Sequence, residues 1–400
     1  MIPKAALTIG AVKVRPLESI QAELDQLTAN GLRRRMRAVD GPNSAELLVD
    51  GRSVVNFSSN NYLGLANHPA IVTAVRSATA EGGFGSAGSR MISGSVSSHR
   101  QLEHELAAWL GVDRALLFNS GYQANLGVVS ALARPGDAVF SDALNHASLI
   151  DGCRLSRASV HIYAHGDLDN LKALLEHSAA PRKLVLTESL FSMDGDIARL
   201  SELATICRAA GALLVVDEAH AVGALGPMGV GLATDADLVI GTFGKSFGGF
   251  GAYVAGPEAA VELISQRARS FIFSTALPGL ISAGTLAALH IVMGAEGDAR
   301  RTVLASRCSE LGRGLERLGL GIGSGTHIQP LLLRDPDPLA VMRISELLLQ
   351  RGLFVQGIRP PTVPRGTSRL RVSLMATHTS EQLDALIDAL GSLRDHLRPA

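Results

Sequence analysis

The chain has 400 residues, 46% apolar and 18% charged, which gives enough material for a large core and two or three globular domains. Its 37 basic and 37 acidic side chains cancel, which argues against nucleic acid or an anionic membrane surface as a partner. No run of eighteen apolar residues is free of charge, so no membrane span is expected. Cys153, Cys207 and Cys308 lack metal spacing and read as reduced thiols of a cytoplasmic protein, with no metal site.

Residues 1–16 have no sustained apolar core followed by a small-residue cleavage site, so no signal peptide is expected. From about residue 16 to 38, the spacing of Leu17, Ile20, Leu24 and Leu27 predicts a helix. It closes on Gly31 and the run Arg33-Arg34-Arg35, which taken alone reads as a solvated helix end. Residues 45–55 alternate about Asp50-Gly51, a hairpin signal. Residues 56–69, NFSSNNYLGLANHP, are dense in turn formers and read as a site loop or as capping.

A helix is expected over 69–81. After it, Gly83, Gly85 and Gly88 match the spacing of a dinucleotide loop. That reading is set aside, because a helix precedes the glycines and the residues after them are too rich in Gly and Ser to open another. Residues 99–110 form an amphipathic helix.

From Arg114 onward the pattern becomes strand, loop, helix, repeated. Strands are expected at 115–118, 138–140, 160–163, 183–187, 212–216 and 237–240, with helices such as 168–177 and 200–210 between them. Such alternation predicts a mainly parallel sheet covered by helices, with ligands at the carboxyl ends of the strands. Those ends carry Gly121-Tyr122, then Glu188 and Ser192, then Asp217 and His220, then Thr242 and Lys245. Asp217 alone could cap a helix, and His220 alone could be a satisfied core histidine. Residues from about 290 onward read as a smaller α+β unit.

Lys245 stands in TFGKSFGGFG, hemmed by glycines and preceded by an apolar run. Gly244-Lys245-Ser246 mimics the tail of a phosphate-binding P-loop, but Val239 occupies the position where that motif needs its first glycine. A lysine so placed suits a Schiff base with a carbonyl. Together the strand ends fit pyridoxal phosphate chemistry. A lysine holds the aldehyde, a carboxylate keeps the pyridine nitrogen protonated, and a helix N-terminus at Gly121-Tyr122 takes the phosphate. Ser192 and Thr242 offer hydroxyls, and His146 offers a ring for stacking.

The stretches NFSSNNYLGL, FNSGYQANLG, SDALNHASLIDG, TESLFSMDGDIA, VVDEAHAVGALGPMGVG and TFGKSFGGFGAYV resemble the α-oxoamine synthases of the type I pyridoxal phosphate enzymes. The likeness runs from about Leu17 to Leu390. It implies the type I α/β transferase fold, with a mainly parallel seven-stranded sheet, helices on both faces and a smaller α+β C-terminal domain. It implies a division into an N-terminal helix and hairpin (1–55), a cofactor domain (56–288) and a small domain (289–400). Lys245 would bind pyridoxal phosphate and move the substrate's α-proton. Asp217 would hold the ring nitrogen, His220 the phenolic oxygen, and His146 would stack on the ring and polarise the thioester carbonyl. Gly121, Tyr122, Ser192 and Thr242 would position the cofactor.

The tail IRPPTVPRGTSRLRVSLMATHT and the early LRRR most resemble the members that join L-alanine to a pimeloyl thioester, carried on coenzyme A or an acyl carrier protein. Arg371 would bind the amino-acid carboxylate with Asn60 beside it. Arg369, two residues away on the same strand face, is the alternative. Arg33 and Thr362 would contact the acyl substrate. Ser274 and Thr275 would reach the phosphate of a partner subunit, making a homodimer with shared sites obligatory. Glycine with acetyl-coenzyme A, or serine with a long acyl thioester, remains the rival substrate pair. The segment GSAGSRMISG lacks the GTRN form of aminolevulinate synthases.

Overall fold

The computed structural model describes residues 16–321 and 324–399. The expectation about a signal peptide falls on residues outside that range. In chain order the elements begin with α1 (Pro16–Ala29), β1 (Val39–Asp40), β2 (Glu46–Val49), β3 (Arg52–Asn56), α2 (Pro69–Gly82) and α3 (Ser97–Leu110). Next come β4 (Arg114–Phe118), α4 (Gly121–Leu132), β5 (Ala138–Asp142), α5 (Ala147–Ser156), β6 (Ser159–Tyr163), α6 (Leu168–Glu176), β7 (Lys183–Glu188), α7 (Leu200–Ala209) and β8 (Ala212–Asp217). Then follow β9 (Leu238–Thr242), β10 (Ala252–Gly256), α8 (Glu258–Arg267), α9 (Arg269–Ile272), α10 (Gly279–Met293) and α11 (Ala295–Arg317). The C-terminal part adds β11 (Ile328–Leu332), α12 (Pro338–Gln350), β12 (Leu353–Phe354), β13 (Gln356–Ile358), β14 (Arg369–Ser373) and α13 (Ser380–Ser392).

The large sheet has seven strands in the order β4-β10-β9-β8-β7-β5-β6. β5 to β9 run parallel, and β10 is antiparallel to both β4 and β9. This is the type I transferase architecture expected above. The seventh strand, β10, escaped the reading of the pattern. AYVAG is a short fully buried run directly after the glycine-rich loop, with no helix between it and β9 to announce it. Alternate strand residues enter opposite layers. Leu184, Leu186, Val215 and Ile240 pack with α4, α5 and α8, while Val185, Leu214 and Val216 pack with α6 and α7.

The first helix is shorter than its periodicity predicts. It stops at Ala29, and Gly31 follows with φ +66°. Arg33-Arg34-Arg35 therefore lie beyond the helix rather than at its solvated end. β2 and β3 pair about Asp50-Gly51 as expected, and β12 from the C-terminal part joins them in parallel beside β3. The small C-terminal sheet, β11-β14-β13, is antiparallel and packs with α11, α12 and α13. Gly83 ends α2 with φ +76°, so the GxGxxG match is a helix terminus and not a nucleotide loop. No single helix among the described residues is long and apolar enough to cross a membrane.

Candidate active site

The carboxyl ends of β7, β8 and β9 and the starts of α4 and α5 surround a cavity of about 190 Å³. Its walls include Gly121, Tyr122, Asn125, His146, Glu188, Asp217, His220, Thr242 and Lys245. Eight of the residues named from sequence thus meet in one place: Gly121, Tyr122, His146, Glu188, Asp217, His220, Thr242 and Lys245.

Each is set there by local structure. Ser120 caps α4 through a hydrogen bond from Gln123 N–H, leaving the N–H groups of Gly121 and Tyr122 at the cavity. Thr242 Oγ1 donates to Gly251 O at 3.0 Å and accepts from Gly244 N–H at 3.2 Å, which closes the loop that carries Lys245. In that loop Gly248 has φ +64°, and a Cβ there would lie 2.2 Å from Ala66 N. The Lys245 loop can therefore dock on the polar loop 56–69 only without a side chain at this point. Loop 56–69 is itself held by Asn61, whose Oδ1 accepts from Leu65 and Ala66 N–H.

Asp217 is buried at the end of β8. Its Oδ2 accepts from Asn125 Nδ2 at 2.7 Å and its Oδ1 from Ala219 N–H at 2.9 Å. Both donors are neutral. Among the described residues no cation forms an ion pair with it. A buried carboxylate without a cation is costly unless a ligand supplies the positive charge. A protonated pyridine ring is such a ligand, so the donor set fits pyridoxal phosphate. Glu188, one strand away in register with Asp217, accepts from His146 N–H at 2.7 Å. Burial first, and then the Asp217 charge, raise its carboxyl well above the usual range. Lys245 is half-buried, and desolvation lowers its ammonium despite the pull of Asp217 and Glu188. Burial, with the Lys245 and Arg371 charges, holds His220 neutral.

A second group joins the cavity through His220. Tyr62 Oη lies 2.6 Å from His220 Nδ1, and Arg371 Nη2 donates to Asn60 Oδ1 at 3.2 Å and to Tyr62 Oη at 3.4 Å. Arg371 is buried and, among the described residues, has no carboxylate partner and leaves its Nε without an acceptor. Arg369 points to different company: it pairs with Asp194 and donates to Met193 O at 3.2 Å. Of the two arginines, only Arg371 is left with an unmet charge.

The other predicted residues lie elsewhere. Ser192 is buried in the loop after β7, where its N–H faces Glu188, and it does not line the cavity. Ser274 and Thr275 sit in a separate crevice, where Asn119 Nδ2 donates to Ser274 Oγ at 2.8 Å and to Thr275 O at 2.7 Å. Arg33 and Thr362 line a second, larger cavity of about 480 Å³, together with Arg34, Arg35, Arg37 and Arg359. Arg34, not Arg33, donates to Thr362 Oγ1, at 3.0 Å. Asn125 and Tyr62 were not singled out from sequence. Asn125 was within reach, since it stands one helical turn after Gly121 and so shares its face.

Residues 52–390 match the model of the family described as aminotransferase class I and II. The chain belongs to this family. An 8-amino-7-oxononanoate synthase of Geobacter sulfurreducens is 47% identical over 387 residues, covering 95% of this chain and 98% of that protein. A lysine-to-alanine variant of the serine palmitoyltransferase of S. paucimobilis, solved with a bound PLP–myriocin aldimine, superposes with TM-score 0.87 at 30% identity, covering 96% of this chain and 98% of that one. An 8-amino-7-oxononanoate synthase of Francisella tularensis superposes with TM-score 0.73 at 28% identity, covering 85% and 97%.

Proposed function

We propose that this protein is a pyridoxal phosphate-dependent acyltransferase. It condenses L-alanine with a pimeloyl thioester to give 8-amino-7-oxononanoate, carbon dioxide and the free carrier thiol, a step of biotin biosynthesis. One observation carries the reading: a single cavity holds Lys245 and a buried Asp217, and through His220 and Tyr62 it connects to a buried Arg371, and among the described residues neither Asp217 nor Arg371 has an ion-pair partner. A cofactor ring with a protonated nitrogen and an amino acid with a carboxylate satisfy both charges at once. The choice of alanine and a pimeloyl thioester is supported by the name of the 47% identical relative.

Pyridoxal phosphate bound here supplies an aldehyde that bonds to amines and a ring that stabilises the charge left when an α-proton departs. Asp217 would accept from the ring N–H, His220 would face the phenolic oxygen, and the N–H groups of Gly121 and Tyr122 would face the phosphate, with Thr242 adding a hydroxyl. Lys245, its basicity reduced by burial, removes the α-proton of alanine and later returns one. Arg371, with Asn60, clamps the substrate carboxylate and orients the Cα–H bond. His146 polarises the acyl carbonyl. The arginine-lined cavity with Arg33 and Thr362 receives the acyl substrate, whose carrier is coenzyme A or an acyl carrier protein.

The active form is a homodimer in which Ser274 and Thr275 complete the partner's site. Support comes from their place in a crevice separate from this chain's own cavity and from the exposed Phe84 (85%), Ile92 (84%) and Phe273 (71%), which leave apolar surface uncovered. The division into segments 1–55, 56–288 and 289–400 belongs to the same reading. So does a cytoplasmic location, supported by three buried cysteines, none of them paired.

Purified enzyme should be yellow, and borohydride should bleach it and leave a stable adduct on Lys245 in peptide mass spectrometry. Turnover with alanine, glycine and serine, each with pimeloyl- and palmitoyl-coenzyme A, then decides the substrate. Preference for serine with the long acyl chain would favour the palmitoyltransferase reading that the S. paucimobilis likeness keeps in view.

A further inference from the structure

His146 stands at the N-cap of α5 and lines the cavity. Its Nδ1 is 3.3 Å from the backbone N of Ser148 and 2.7 Å from Ser148 Oγ. A backbone N–H only donates, so Nδ1 accepts and the proton of the neutral ring sits on Nε2. Ser148 Oγ also lies 2.8 Å from Asn125 Nδ2, and the same nitrogen lies 2.7 Å from Asp217 Oδ2. An amide nitrogen only donates. Ser148 Oγ therefore receives a hydrogen from Asn125 and has its own left for His146 Nδ1.

The direction of this chain is set at Asp217. Flipping the Asn125 amide would turn its carbonyl oxygen onto the carboxylate. Asn125, Ser148 and Asp217 are 1%, 0% and 7% exposed, so water does not compete for these bonds. Flipping the His146 ring would put carbon where Nδ1 is and leave two buried donors without an acceptor. Among the described residues Nε2 has no protein partner, so its hydrogen is available to a ligand in the cavity.

We propose that Asn125 and Ser148 are positioning residues that relay the orientation fixed by Asp217 to His146 and hold its ring as the Nε2–H form, a donor into the cavity. The carboxylate assigned to the cofactor nitrogen and the imidazole assigned to the acyl carbonyl are thus parts of one hydrogen-bond network. The relay itself stands on the geometry. Only its value to the reaction rests on the role given to His146 in the function proposed above.

Ring-nitrogen NMR of the full-length protein labelled with ¹⁵N-histidine tests it, with and without pyridoxal phosphate. The His146 signals are identified by their loss in His146→Asn. The expected wild-type result near neutral pH is an unprotonated Nδ1 and a protonated Nε2. Ser148→Ala removes the 2.7 Å hydroxyl contact and leaves Nδ1 only the longer 3.3 Å backbone bond, too weak to hold one tautomer alone, so it should give a mixture of tautomers and lower kcat roughly 2- to 10-fold, with KM for alanine unchanged, the size of one hydrogen bond. Ser148→Thr, which keeps the hydroxyl, should restore the wild-type signals. A proton on Nδ1 in the wild type overturns the proposal, as does a Ser148→Ala spectrum identical to the wild type. A tautomer shift without any change in turnover upholds the relay and removes the role of His146 at the carbonyl.

Discussion

Tyr62 Oη lies 2.6 Å from His220 Nδ1, a contact between residues 158 positions apart that ties the loop before α2 to the loop after β8. The same hydroxyl lies 3.0 Å from Asn60 Oδ1 and 3.4 Å from Arg371 Nη2. One buried phenol therefore links the histidine assigned to the cofactor with the arginine assigned to the substrate. Burial pushes that phenol up to about 12, so it stays protonated at working pH. Tyr62→Phe should leave His220 Nδ1 without a partner and cost about 1–3 kcal/mol in a urea unfolding series. The absorption band of the bound cofactor should shift as well, because His220 loses its anchor. Unchanged stability and spectrum would show that the contact is incidental.

Arg371 and Arg369 predict different losses. Arg371→Ala should raise KM for alanine roughly 10- to 100-fold and cost less stability than Arg369→Ala, since the protein partners it loses, Asn60 and Tyr62, are neutral and its charge is reserved for substrate. Arg369→Ala breaks the pair with Asp194 and should lower the unfolding temperature more than it affects KM. Steady-state kinetics and thermal unfolding of both variants separate the two. The reverse pattern would exchange their roles.

Shared sites make a mixing prediction. Lys245→Ala and the double variant Ser274→Ala/Thr275→Ala should each be poorly active alone, with at least about 100-fold lost in the lysine variant. Dissociated and mixed, they should regain activity, because one site of each mixed dimer then combines an intact Lys245 with an intact Ser274 and Thr275. If both contributions came from one subunit, mixing would restore nothing.

Gly248→Ala should fail structurally. A left-handed φ of +64° costs a non-glycine residue about 1–2 kcal/mol, and the added Cβ would sit 2.2 Å from Ala66 N, which is backbone and cannot swing away. The loss should appear as a lowered unfolding temperature and a weakened hold on the cofactor. Gly82→Ala, where a Cβ meets nothing within 4 Å, is the control and should be close to neutral.

His165 gives a pH signature. Its ring bridges Asp142 at 2.9 Å and Asp196 at 3.0 Å, and the hydrogen bonds it donates to these carboxylates raise it to about 10. The folded value lies above the unfolded value of about 6.5. Its stabilisation is therefore complete below the unfolded value and is lost as pH rises through about 10. The ring is partly exposed, so solvent screening limits the effect to about 1–2 kcal/mol. Wild type and His165→Gln should thus differ in unfolding free energy near pH 6 and converge toward pH 10. A constant difference across that range would remove the charge from the account.

The sequence by itself determined the strands of the parallel sheet, the helices between them, and the rim where Tyr122, Asp217, His220 and Lys245 meet. These follow from local periodicity and from the rule that strand ends carry the site. It did not determine where α1 stops, because apolar spacing continues past Gly31 while the backbone there turns left-handed. Nor did it show β10, a five-residue run with no period of its own. Only the tertiary structure decided which of two arginines on one strand face keeps an unmet charge, that Ser274 and Thr275 lie away from this chain's own cavity, and that Asn125 and Ser148 connect Asp217 to His146. Those outcomes depend on partners brought together from distant parts of the chain, such as Arg369 with Asp194 and Asn125 with Asp217, and no periodicity within one segment encodes the choice of a distant hydrogen-bond partner.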